Sequence, residues 1–202
     1  IVGHLRNIDS SLAQRVADGL GLASLPEAPE PASPVTDQPV SPPLQTIGKM
    51  KDTLEGRAVG ILIADGSDAA LITAVTKAAT AAGATVKIVA RKVGGATLSD
   101  RTQLAAHGQL AGTPSVVFDA VAVILSDASA LALAKDGCAV DFVRDAFGHL
   151  KAIGADAGGL ALLAAAGIEP DAGVVDVSDT KAFIAQAKTR QWDREPKVRD
   201  LA

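Results

Sequence analysis

Apolar positions along this chain come in two rhythms. Residues 58–64 form a continuous apolar run and residues 120–126 another that ends in Ser126, the pattern of strands covered on both faces. Residues 69–82 instead place Leu71, Val75 and Ala79, with Ile72 and Ala78 beside them, on one side of a helix that Gly83 can close. Residues 85–90 supply the next strand. Together these make a βαβ unit whose crossover should be right-handed. Residues 97–98 and 102–104 read as two short strands turning at Asp100 and Arg101, and residues 115–118 as another short strand. Residues 128–135 give a helical turn. Residues 140–150 give a helix with Phe142, Val143, Ala146 and Phe147 inward. The centre of the pattern follows: residues 150–155 as a strand, 156–159 as a turn, 160–166 as a helix. Residues 173–177 predict a strand, and residues 179–190 a last helix with Phe183, Ile184 and Ala187 inward. Residues 191–202 form a charged tail holding the only Trp.

Strands and helices alternate from residue 57 onward, so the expected fold is α/β. It is a flavodoxin-like, doubly wound, mostly parallel sheet with helices on both faces, preceded by a short helix and a Pro-rich linker. The expected organisation is residues 1–22 as a helical unit, 23–56 as linker and lead-in, 57–190 as the domain and 191–202 as the tail. In the first unit Asp9 or Ser10 can cap a helix, Leu12, Val16 and Leu20 share a face, and Gly19 or Gly21 can end it. Such a short helix must pack on something to persist. Seven of the ten prolines fall between residues 24 and 43: Pro26, Pro29, Pro31, Pro34, Pro39, Pro42 and Pro43. That density gives a semi-extended linker. A turn is expected at Glu55 and Gly56.

Composition narrows this picture. Hydrophobic residues make up 48% of the chain but aromatics only 2%, so the core must be built from Ala, Val, Leu and Ile. A net charge of −4 argues against nucleic acid as a partner, because phosphate binding needs clustered Lys and Arg. The single cysteine rules out an internal disulfide and fits a reducing compartment, here the cytoplasm. No apolar run approaches the roughly 20 residues that span a bilayer, so no membrane association is expected. The first residue is Ile, as if the chain were cut from something longer.

Candidate chemistry lies at the carboxyl ends of the strands, where open α/β sheets bind ligands. Asp65, Asp68 and Asp156 sit in such turns. Converging, they would make a metal site or an acid/base pair; separately, they are good helix caps. A strand turning sharply into a helix, as at residues 150–166, is also where many enzymes hold a nucleophile. This turn offers Asp, Ala, Gly and Gly, with no Ser, Cys or His. Cys138 precedes a helix, whose N-terminus can activate a thiol, but His149 lies roughly 16 Å further along that helix. His4, His107 and His149 lack metal-ligand spacing. Glycines near residues 66, 94–95 and 158–159 match neither a dinucleotide fingerprint nor a phosphate loop. There is no Tyr at all.

Residues 59–68 (VGILIADGSD), followed by an Ala-rich helix, resemble the opening of the ThiJ/PfpI group of the class I glutamine amidotransferase-like superfamily. Residues 151–168 (KAIGADAGGLALLAAAGI) resemble its nucleophile elbow. In that correspondence the family's Cys falls on Ala157, its adjacent His on Gly158, and its acidic partner on Asp68. Thiolate chemistry needs the sulfur, so the vestigial positions Ala157, Gly158 and Asp68 carry no catalytic expectation. Large-subunit haem catalases carry such a domain at their C-terminus. Residues 6–9 (RNID) and 12–21 (LAQRVADGLG) resemble the end of their helical region, and residues 190–197 (RQWDREPK) resemble their W-x-R-x-P-K ending. The resemblance spans essentially the whole chain.

That resemblance implies a parent enzyme that disproportionates hydrogen peroxide at a buried haem as a homotetramer. Its distal His and Asn and its proximal Tyr would lie outside this chain. The chain itself is then expected to hold no cofactor and no metal. Its expected role is a structural, stabilising or channel-framing domain, with the catalase core of the same polypeptide as its partner. Two alternatives stand beside it. One is a chaperone-like or partner-binding module using an exposed apolar patch. The other is a residual hydrolase using Cys138 or the cluster of Asp65, Asp68 and Asp156.

Overall fold

The computed structural model describes residues 1–33 and 39–198 and divides into two compact units, Ile1–Gln45 and Thr46–Ala202. In the first, α1 (Val2–Leu5) lies against α2 (Ser10–Gly19). The Asp9 carboxylate caps α2 by accepting from the Leu12 amide, and Gly21 turns the chain away with φ of 67°. The buried stripe differs from the expected one. Ala13 and Ala17 are buried and Val16 is half-buried, while Leu12 and Leu20 are exposed. The Pro-rich stretch is not free of this unit: Arg6 donates to the Pro26 carbonyl at 3.0 Å and Asn7 to that of Pro29 at 2.9 Å. Residues 42–44 form one 3-10 turn. Pro34 and residues 199–202, which the linker and tail readings included, lie outside the described residues.

The second unit carries a six-stranded parallel sheet in the order β5-β2-β1-β6-β7-β8. Its strands are β1 (Ala58–Ile63), β2 (Thr85–Ala90), β5 (Gly108–Gln109), β6 (Ala120–Ile124), β7 (Ala152–Ala155) and β8 (Val174–Asp176). A separate antiparallel pair, β3 (Ala96–Thr97) and β4 (Gln103–Leu104), turns at Arg101, whose φ is 71°. Helices α3 (Ala69–Ala81) and α7 (Thr180–Ala187) cover one face. Helices α4 (Asp127–Leu133), α5 (Gly137–Gly148) and α6 (Ala157–Ala165) cover the other. The period of two along each strand divides the core accordingly. Ile61, Ile63, Ala122 and Ile124 meet Val75, Ala79 and Phe183. Leu62, Val121, Val123 and Ile153 meet Phe142, Val143, Leu162 and Leu163.

Several local expectations are corrected. Residues 115–118 hold a 3-10 turn (Ser115–Val117) rather than a strand, because Pro114 fixes the backbone ahead of it. Leu150 is not part of a strand. It takes φ of 57° in the turn from α5 into β7. Residues 156–159 are not a turn either. Asp156 caps α6 and the two glycines are already helical. β5, only two residues long, carries no apolar run that could have announced it. The charged tail folds as a 3-10 turn (Trp192–Arg194) and α8 (Glu195–Val198), with Arg194 buried.

Candidate functional site

The chain runs from β1 outward to β2 and then returns to place β6 on the other side of β1. At that reversal lie the carboxyl ends of β1, β6 and β7, whose following turns hold Asp65, Asp68, Ser126 and Asp156. Every carboxylate there is engaged by backbone donors. Asp65 accepts from the Thr97 amide at 2.9 Å, which ties the β3–β4 pair to the end of β1. Asp68 caps α3 through the Leu71 amide at 2.9 Å. Asp156 accepts from the Gly159 amide at 2.7 Å and from the Leu125 amide at 3.0 Å, so one side chain both caps α6 and clasps the end of β6. Burial lifts its carboxyl above the usual range. Its hydrogen bonds from Gly159 and Leu125 oppose that lift, and the negative charge of Asp68 adds to it. Among the described residues no group of three or more His, Cys, Asp or Glu can hold a metal ion.

Hydroxyls lie beside these carboxylates. Ser67 is fully buried; its Oγ donates to the Ile124 carbonyl at 2.5 Å and accepts from the Ala64 amide at 2.9 Å. Ser126 and Ser129 both donate to the Asp65 carbonyl, at 2.9 and 3.0 Å. The network holds the ends of β1 and β6 together.

The elbow itself is closed. Ala157 is exposed at the first position of α6, and no residue from 155 to 158 has positive φ. A nucleophile elbow needs a strained turn to lift its side chain, and this turn is relaxed. At Gly158 a Cβ would collide with the Leu125 carbonyl oxygen and lie 3.0 Å from the Leu125 Cβ; at Gly159 it would collide with the Val123 carbonyl. The two glycines therefore let α6 settle directly on β6. Position 158, where the resemblance puts a histidine, accepts a side chain only if α6 and the end of β6 move apart.

Cys138 is exposed inside the first turn of α5 rather than ahead of the helix, with its amide donating to Asp136 at 3.1 Å. Asp136 in turn pairs with Arg91 at 3.1 Å. His149 caps the opposite end of α5, its Nδ1 2.7 Å from the Asp145 carbonyl oxygen. The thiol and the imidazole thus do not meet. His107 uses Nδ1 to accept from the Ile88 amide at 2.9 Å, and His4 is exposed in α1.

Sequence reasoning overlooked two buried cations at the amino end of the sheet. Lys151 is 3% exposed and donates to the Ser115 carbonyl at 2.7 Å. Burial, then the neighbouring charge of Arg190, pushes its ammonium down to about 8, against the pull of Asp119 and Asp145. Because the folded value is depressed, the unfolded chain holds the extra proton between about pH 8 and 10.5. Stability is therefore expected to rise with pH across that window. Lys151→Met should flatten that rise relative to the parent and add roughly 1–3 kcal/mol at pH 7, as urea titrations at pH 7, 9 and 10.5 would read. Arg194 is the second cation. It forms a bidentate pair with Asp171 at 2.7 and 2.8 Å and donates to the carbonyls of Lys151 at 2.9 Å and Phe147 at 3.2 Å. The available signal was the resemblance of the W-x-R-x-P-K ending, in which Arg194 is the arginine.

Comparison with known proteins adds identity to this geometry. The family described as the C-terminal domain found in long catalases matches residues 55–194. Catalase C of Rhizobium meliloti is 40% identical over 98% of this chain and 29% of its own length. Catalase HPII of Mycobacterium avium is 37% identical over 84% of this chain and 24% of its own. Catalase-2 of Bacillus subtilis is 33% identical over 96% and 28%. The chain thus spans less than a third of the length of each of these relatives. Among solved structures, Drosophila melanogaster DJ-1beta superposes with a TM-score of 0.57 at 14% identity, covering 71% of this chain and 96% of that one. That likeness concerns the fold alone.

Proposed function

We infer the function from membership: this chain belongs to the family of C-terminal domains found in long catalases, and it serves as a structural domain of such a protein. The longer polypeptide disproportionates hydrogen peroxide to water and oxygen at a haem bound outside these residues, as a cytoplasmic homotetramer. In this arrangement residues 1–22 end the helical region of the catalase core and residues 23–56 link it to the domain of residues 57–190. The domain stabilises the assembly and frames the approach to the haem.

One observation carries the structural reading. The position of the nucleophile is an alanine on a relaxed helix start, and its neighbour Gly158 is sealed against β6. The site has been turned into packing. The residues of this chain do not fit a catalase haem either, since there is no Tyr to ligate the iron, and His107 and His149 each engage a backbone group through Nδ1. No helix among the described residues is long and apolar enough to cross a membrane. The residual-hydrolase alternative draws no support from Cys138, which sits at the opposite end of α5 from His149, and Asp65, Asp68 and Asp156 are each held by backbone amides.

Peroxide decomposition tests this reading. The 202-residue chain, with and without added haem, should evolve no oxygen, while a long catalase measured beside it does. Haem-dependent turnover by the chain alone would place a peroxide site within these residues and refute the assignment.

A further inference from the structure

We propose that the outward side of α4 and α6 is the face by which this domain docks onto the remaining, catalase-bearing part of its own polypeptide. The proposal rests on the structural reading above and names its surface. α6 contains no polar residue. Its inner side, Gly158, Gly159, Leu162 and Leu163, is buried on β6 and β7, yet Leu160 on its outer side is 43% exposed. α4 lies against α6 and presents Leu131, 71% exposed. A helix apolar all round belongs between two covered surfaces, and here only one is covered within the domain.

Size selects the occupant. Helices of nine and seven residues are about 14 and 10 Å long and about 10 Å wide, so together they offer roughly 250 Å². A stable interface between free proteins needs about 800 Å² per partner, so a second free copy of this chain would hold poorly. A tethered partner needs far less, since the tether supplies a high effective concentration. In the relatives such a tether exists: the segment matching this chain is 29% of Catalase C and 28% of Catalase-2, leaving most of each polypeptide beyond it.

The test uses Rhizobium meliloti Catalase C with this chain in place of its matched 207-residue alignment. Hydroxyl-radical oxidation of Leu131 and Leu160 is expected to be severalfold lower in that chimera than in the free 202-residue chain. The double substitution Leu131→Glu with Leu160→Glu is expected to lower the thermal midpoint of the chimera and to leave that of the free chain unchanged. Equal oxidation in both proteins, or a chimera indifferent to the double substitution, overturns the docking face. Failure of the unsubstituted chimera to assemble also overturns it, since the face would then not fit the catalase body. Removing the matched segment from Catalase C separates the two readings: a lowered midpoint keeps the structural role, and no change refutes it. Self-association of the free chain that the double substitution abolishes would make a second copy the occupant and overturn the proposal.

Discussion

Arg194→Ala is expected to destabilise the domain by about 3–5 kcal/mol, the usual cost of removing one partner from a buried ion pair. For a unit of this size that corresponds to a thermal midpoint lower by about 6–20 °C. The guanidinium has no exposed side-chain surface, and it joins three parts of the fold. Two of its nitrogens hold the carboxylate of Asp171, ahead of β8. A third donates to the last turn of α5 at Phe147 and to the residue leading into β7, Lys151. Its Cζ also lies 4.0 Å from the centroid of the Phe147 ring, a cation–π geometry. Alanine would strip the Lys151 carbonyl and the half-buried Asp171 carboxylate of the guanidinium, leaving Asp171 only the Gly173 amide, while the Phe147 carbonyl keeps the Leu150 amide. Burial alone would raise the Asp171 carboxyl, but hydrogen bonds and charge from Arg194 outweigh it and hold the carboxyl below the usual range. A depressed carboxylate stabilises the fold above its unfolded value and loses that contribution as pH falls. The gap between parent and variant should therefore narrow below about pH 4. Denaturant melts at pH 7 and pH 3 would show both effects; a loss under 1 kcal/mol at pH 7 would mean that the tail is not an anchor.

That prediction concerns a residue which sequence reading assigned to a charged tail. The reason is general. A buried cation is betrayed by its partners, and Asp171, Phe147 and Lys151 are distant in sequence from Arg194. By contrast, the buried strands were legible, because continuous apolar runs such as residues 120–125 have few other uses in a chain with so few aromatics. α3 was legible from its helical spacing: of the expected inward set Ile72, Val75 and Ala79 are buried, and Leu71 and Ala78 are half-buried beside them. The short elements were not. Two-residue β5 and the 3-10 turn after Pro114 hold their shape through neighbours rather than through any pattern of their own. The elbow fell between these cases. Its sequence told what was missing, the nucleophile, but Asp156 and its two glycines looked like a turn. Only the position of β6 reveals why they are helical: Asp156 reaches the Leu125 amide only if α6 starts at once, and the glycines allow the helix to lie close enough for it.

Restoring the ancestral-looking pair therefore should not restore chemistry, and the two halves of the pair should fail differently. Ala157→Cys places a thiol on an exposed first helical position, so stability should move by less than about 0.5 kcal/mol. The cysteine would fold and still be inert, because the relaxed backbone does not aim it and Gly158 supplies no imidazole beside it. Gly158→Ala should already cost about 1–3 kcal/mol, since its Cβ must push α6 away from the Leu125 carbonyl. Gly158→His should cost more than Gly158→Ala, because the larger ring needs a wider gap. Widening that gap also stretches the clasp of Asp156 on Leu125, now 3.0 Å, so the lost cap adds to the steric cost. Urea midpoints would rank the three single variants in that order. Ester hydrolysis and glyoxal turnover, measured on the folded Ala157→Cys variant and on the double variant, should stay at the level of the parent chain. Turnover by the double variant with a native midpoint would mean that α6 can lift from β6 at little cost, and that the closed elbow is a resting state of an active site rather than its replacement by packing.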